Sequence, residues 1–108
     1  MQYTKSEIAN RIKPIAERYA IPEVYLFGSH ARGDASETSD IDILIKRSGS
    51  AIHSAFDMGG LFNDLRNALG QEVDLVTVES LDSNSIRRGR RGFAEALNSE
   101  RILIYEKR

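Results

Sequence analysis

The run Asp40-Ile41-Asp42-Ile43-Leu44-Ile45 most narrows what this chain can fold into. Side chains alternate between the two faces of a β-strand. Asp40 and Asp42 therefore share one face, and Ile41, Ile43 and Ile45 share the other. The isoleucine face needs a core. The aspartate face needs water or a cation, because like charges this close oppose each other's ionisation and partial burial sharpens the conflict. A divalent cation removes it. Carboxylate oxygens are hard ligands suited to Mg²⁺, which usually binds through one or two carboxylates plus phosphates and water. Asp74 repeats the pattern between Val73 and Leu75. If the two strands are neighbours, three carboxylates could hold one or two metal ions, an arrangement suited to phosphoryl chemistry. The plainer alternative makes Asp40 a turn cap, Asp42 an exposed edge residue and Asp74 the partner of an arginine.

The elements around these acids follow from periodicity. Residues Ser6 to Tyr19 read as a helix, with Ile8, Ile12, Ile15, Ala16 and Tyr19 at helical spacing and Thr4 or Ser6 as its cap. Pro14 removes one backbone bond there and predicts a kink. Glu23 to Phe27 reads as a strand, residues 30 to 39 as a short helical turn plus loop, and Asp40 to Lys46 as the second strand. Phe56 to Leu69 is a helix candidate, with Phe56, Leu61, Leu65 and Leu69 partly in phase. Gly59-Gly60 weakens it, since each glycine costs about 1 kcal/mol against alanine inside a helix. Gly70 is its expected stop. Glu72 to Val78 is a third strand, Ser80 to Ser85 a turn, Phe93 to Asn98 a short helix and Arg101 to Tyr105 a last strand. The order predicts a single α/β domain over residues 1–108, with a mixed sheet of about four strands packed with helices.

Bulk properties limit the partners. A formal net charge of -1 exerts no general pull toward nucleic acid or membrane. With 108 residues and no cysteine, disulfides and thiolate metal sites are excluded, and a reducing cytoplasm is the expected location. No apolar run approaches the ~20 residues of a membrane span.

Gly28-Ser29 closes the first strand. Glycine lets a ligand approach the backbone, and successive N–H groups at such a turn can cradle phosphate oxygens. The whole stretch FGSHARGDASETSDIDILI places Gly28-Ser29 ahead of Asp40 and Asp42, with Ala31-Arg32-Gly33 and Ser39 between them. This stretch closely resembles the minimal nucleotidyltransferases of the polymerase-beta-like superfamily, and most closely their antitoxin members. The resemblance runs from the first helix through the strand of Asp74, with no departure at a motif position.

That resemblance implies a reaction and its residues. Gly28 and Ser29 would bind the β- and γ-phosphates of ATP, with Arg32 and Ser39 as further nucleotide contacts. Asp40 and Asp42 would ligate both Mg²⁺ ions. Asp74 would ligate the ion nearest the acceptor and help deprotonate its hydroxyl. The expected activity is adenylylation (AMPylation) of a protein acceptor, a tyrosine of a cognate HEPN-type RNase toxin, in a hetero-oligomer. Small-molecule members usually carry an added helical domain for the acceptor, for which this length leaves no room. Two other readings stand beside it: a non-catalytic antitoxin that acts by covering the toxin, and an ATP-sensing domain without turnover.

The remaining features are less specific. Arg32 reads either as a brace to an acid or as a phosphate contact. His30 reads as an exposed surface histidine and His53 as solvated. The run Arg87-Arg88-Gly89-Arg90-Arg91 reads either as a solvated loop or as a basic patch for an acidic partner, RNA or the triphosphate.

Overall fold

The computed structural model describes residues 3–33, 35–36, 40–80 and 101–107. Its elements are α1 (Lys5–Arg18), β1 (Glu23–Phe27), α2 (Gly28–Arg32), β2 (Ile41–Ile45), α3 (Ala55–Leu69), β3 (Val73–Thr77), α4 (Val78–Ser80) and β4 (Ile102–Glu106). The strands form one sheet in the order β3-β2-β1-β4. β1 pairs antiparallel with β2 and with β4, while β2 pairs parallel with β3. The mixed four-stranded sheet expected above is therefore present. A parallel pair needs a long crossover, and α3 supplies it between β2 and β3.

Thr4 starts α1 through a capping box. Its hydroxyl accepts the Glu7 amide at 3.1 Å, and its own amide donates to the Glu7 carboxylate at 3.0 Å. Pro14 lies inside the helix without ending it. The apolar stripe of Ile8, Ile12, Ile15 and Ala16 is buried, as its spacing requires. It packs with Leu61, Leu65 and Leu69 of α3 and with Val24, Leu26, Ile41, Ile43 and Ile45 of the sheet. The three isoleucines of β2 thus face the core. The opposite sheet face holds a smaller cluster built on Phe27 and Leu44.

α3 corrects one detail of the periodicity. Leu61, Leu65 and Leu69 are buried, but Phe56 is 90% exposed. Five residues before Leu61 is roughly 140° off the buried stripe at 100° per residue. Ser54 caps this helix by accepting the Asp57 amide at 3.1 Å, and Asp57 accepts the His53 amide at 2.9 Å. His53 itself is exposed, as expected. Gly70 ends the helix at φ +67°. The two internal glycines differ. A Cβ on Gly60 would lie 3.1 Å from the Tyr19 hydroxyl, whereas one on Gly59 would meet nothing within 4 Å. The Tyr19 hydroxyl donates to Asp64 at 2.8 Å, so Gly60 makes room for a contact that ties α1 to α3.

The region expected to turn after β3 begins as the short helix α4. Residues 81–85, the Arg87–Arg91 run and the Phe93–Asn98 helix lie outside the described residues. No helix among the described residues is long and apolar enough to cross a membrane.

The glycine contrast predicts a separable outcome. Gly59→Ala should stabilise the fold by about 1 kcal/mol through helix propensity. Gly60→Ala should gain nothing or lose stability, because the Tyr19 hydroxyl must move. Urea unfolding of both variants checks this, and equal gains would show that Tyr19 does not need the space.

Candidate active site

Three strands and one turn bring the sequence-marked residues together. β1 ends at Phe27, whose backbone is extended, and the chain enters α2 through Gly28 at φ +70°. That conformation favours glycine, and the space around it demands glycine too. A Cβ there would fall inside the van der Waals envelope of Asp42 Oδ2 and 3.1 Å from its Cγ. The Asp42 carboxylate is therefore seated on the Gly28 backbone. The strand register explains why: Phe27 is paired with Asp42, one step before Gly28.

The same register carries Asp74 into place. Asp42 and Asp74 are direct partners across the parallel pair β2–β3, with Ile41 beside Val73 and Ile43 beside Leu75. Asp40 lies two residues before Asp42, just outside β2. Asp40 and Asp74 are exposed, while Asp42 is partly buried. Burial raises the Asp42 pKa to about 6; the neighbouring Asp74 and Asp40 charges add to the rise and the Arg32 guanidinium opposes it. The conflict inferred for two acids on one strand face is thus present, and Asp74 contributes more to it than Asp40.

Among the described residues, no three acidic or imidazole side chains converge closely enough to form a complete metal cage. Asp40 and Asp74 both reach water. The donor chemistry still fits Mg²⁺. One or two carboxylates with phosphate oxygens and water are its usual shell, and Asp42 carries a charge conflict that a cation would remove.

The remaining sequence-marked residues are placed as follows. Ser29 is partly buried in α2, directly after Gly28, and Arg32 is exposed at the end of α2 with its charge reaching Asp42. Ser39 lies outside the described residues. His30 corrects the expectation of an exposed histidine: it is only 5% exposed. Among the described residues neither ring nitrogen has a hydrogen-bond partner. Burial lowers its pKa, and the Asp40 backbone opposes that fall. Nothing in a five-residue helix provides a periodicity from which this burial could be read.

Comparison with known proteins gives this arrangement a class. The profile of the family described as Polymerase beta, Nucleotidyltransferase matches residues 10–107, and the chain belongs to that family. Its carboxylates and Gly-Ser turn therefore sit in a nucleotidyltransferase fold. One relative, the protein adenylyltransferase MntA of Thermococcus cleftensis, is 41% identical over 71 residues, covering 66% of this chain and 70% of the relative. Two solved structures share the fold. A toxin–antitoxin with AMP-PNP has a TM-score of 0.69 at 22% identity, over 93% of this chain and 74% of that one. A tri-AMPylated Shewanella oneidensis HEPN toxin in complex with MNT antitoxin has a TM-score of 0.64 at 20% identity, over 96% of this chain and 74% of that one.

The crowding of Asp42 has a stability consequence with a definite sign. Its pKa in the folded chain is above that of the unfolded chain, so the folded state holds the proton more tightly. Stability then falls as pH rises from about 4 to about 6, and the full cost is present above that window. Asp42→Asn should raise metal-free stability at pH 7.5 by about 2 kcal/mol, allowing for partial solvent screening. At pH 4 the gain should largely vanish. Thermal unfolding in EDTA at both pH values checks this; an equal effect at the two values would contradict the crowding.

Proposed function

We propose that this chain is a Mg²⁺-dependent protein adenylyltransferase that acts as the antitoxin of a HEPN-type RNase toxin, transferring AMP from ATP to a tyrosine of that toxin. The observation that carries this reading is the Asp42 carboxylate, seated on Gly28 and opposite Asp74. The name of the Thermococcus cleftensis relative supports the protein acceptor. The toxin–antitoxin complexes that share the fold support the partner, and AMP-PNP in one of them supports the nucleotide.

In this reading the Gly28-Ser29 turn binds the β- and γ-phosphates. The open backbone of Gly28 lets an oxygen approach closely, and the Ser29 hydroxyl adds a hydrogen bond. Arg32 and Ser39 add contacts to the nucleotide. Asp40 and Asp42 would hold the two Mg²⁺ ions, and Asp74 would add a carboxylate toward the acceptor. When bound, Mg²⁺ neutralises phosphate charge and lowers the cost of forming the attacking oxyanion. The tyrosine oxygen forms a bond to the α-phosphorus, and the bond from that phosphorus to the bridging oxygen breaks. Pyrophosphate leaves with that electron pair. Asp74 is exposed and can take the phenolic proton and pass it to water. Phosphoryl transfer of this kind depends mainly on positioning and charge neutralisation, which are what a rigid strand pair provides. The folded chain would do this work in the cytoplasm.

Intact-mass spectrometry of the co-purified partner, incubated with ATP and Mg²⁺, tests the reading. Nucleoside-monophosphate adducts should form on the partner and disappear with Asp40→Asn/Asp42→Asn. Neutralisation by that double variant without any adduct would favour the covering antitoxin instead. Nucleotide binding with no partner modification under any metal would favour the sensor.

A further inference from the structure

β4 lies at one edge of the sheet, and most of it is apolar. Four residues in a row, Ile102-Leu103-Ile104-Tyr105, carry charged neighbours only at their ends. The core does not close over them. Ile41, Ile43 and Ile45 of β2 are at most 1% exposed, whereas Ile102, Ile104 and Tyr105 reach the same core yet stay only partly buried. On the other face Leu103, paired with Tyr25, is 45% exposed. Among the described residues no strand pairs with the outer edge of β4. An apolar edge of this kind offers its free N–H and C=O groups to another strand.

A groove of about 700 Å³ runs between this edge and α1. A bulge in β4 shapes it. Val24 pairs with Tyr105 and Tyr25 with Leu103, so Ile104 is an extra residue, and Ile104 and Tyr105 both line the groove. Lys13 and Glu17 of α1 line it as well, with Glu106 and Lys107. The signs balance, two against two. A strongly charged partner of either sign finds no complement there. A second copy of the same surface does, because a two-fold contact sets the patch against itself and needs both signs within it. Lys13 and Glu17 are one helical turn apart and both exposed. Across a two-fold axis the two α1 helices run antiparallel, so Lys13 of each copy meets Glu17 of the other.

We propose that β4 and the groove beside it form a homodimer interface with a second copy of this chain. The two β4 edges pair antiparallel across the axis and extend the sheet, and the two Lys13–Glu17 pairs close over the apolar residues. The acids of β2 and β3 stay uncovered. Glu106 pairs with Glu23 at the start of β1, whereas Asp42 pairs with Phe27 at its end, and the groove lies on the helical side of the sheet. The interface uses none of the residues assigned to nucleotide or metal.

Sedimentation velocity of the full chain without a partner, over a dilution series, tests this. Wild type should sediment as a monomer–dimer equilibrium. Lys13→Glu and Glu17→Lys alter exposed helical positions, and each sets like charges against one another across the axis. Each should weaken dimerisation about tenfold or more. Mixing the two variants should restore it, because one then carries two lysines where the other carries two glutamates. A role in folding alone does not produce that rescue. A wild type that stays monomeric at every concentration overturns the proposal. So does a dimer that neither variant weakens, or one that the mixture fails to restore. Loss of the co-purified partner from either variant, with wild type monomeric on its own, gives the groove to that partner and overturns it too.

Discussion

Asp42 and Asp74 are partners across a parallel strand pair, and two carboxylates so placed repel. The backbone ladder and the apolar residues on the other face hold them there. Ile41, Ile43 and Ile45 are buried against α1 and α3, and Val73 is buried beside them. A one-residue slip of β2 would expose all three isoleucines and bury the acids. The core therefore enforces the register, and the register enforces the charge conflict. This is how a small fold can sustain an arrangement that its local electrostatics oppose.

The turn after β1 depends on the same register. Because Phe27 is paired with Asp42, the next residue meets the carboxylate, and only a residue without a side chain fits. Gly28 thus serves two needs. It gives the backbone its positive φ and leaves room for Asp42. The turn proposed to bind phosphate and the acid proposed to bind metal are then neighbours by construction, since one strand pair delivers both. His30 adds to the unfavourable side as a buried ring without hydrogen bonds among the described residues. Asp42 carries a charge conflict and His30 an unsatisfied ring, and both lie beside the same turn. Local stability given up at one place is characteristic of sites shaped for a ligand.

Much of this was legible in the sequence, for identifiable reasons. The alternation in β2 and the 3–4 spacing in α1 are strong patterns, and both core faces followed from them. Thr4 and Ser6 both have the chemistry of a cap, and the box with Glu7 decides for Thr4. The resemblance carried by Gly28-Ser29, Asp40, Asp42 and Asp74 pointed to the family that the profile match bears out. Bringing Asp74 beside Asp42 requires β2 and β3 to be neighbours, and the parallel register makes them so. Other features depend on contacts between distant residues and leave no local trace. Gly60 looked like a helix fault until Tyr19 was found against it. Phe56 looked like part of a stripe, but the phase excludes it. His30 looked like surface because its neighbours are polar, and only the packing of α2 on two strands buries it.

In the proposed function the Gly28-Ser29 turn and the acids of β2 and β3 form one cation site. Titrating Mn²⁺ into isotope-labelled protein and following amide broadening by nuclear magnetic resonance tests it most directly. Because paramagnetic broadening falls steeply with distance, the account predicts that the amides around Gly28-Ser29, Asp42 and Asp74 disappear first and together. Mg²⁺ should restore them. Broadening centred elsewhere, or at one of these segments without the others, would contradict it.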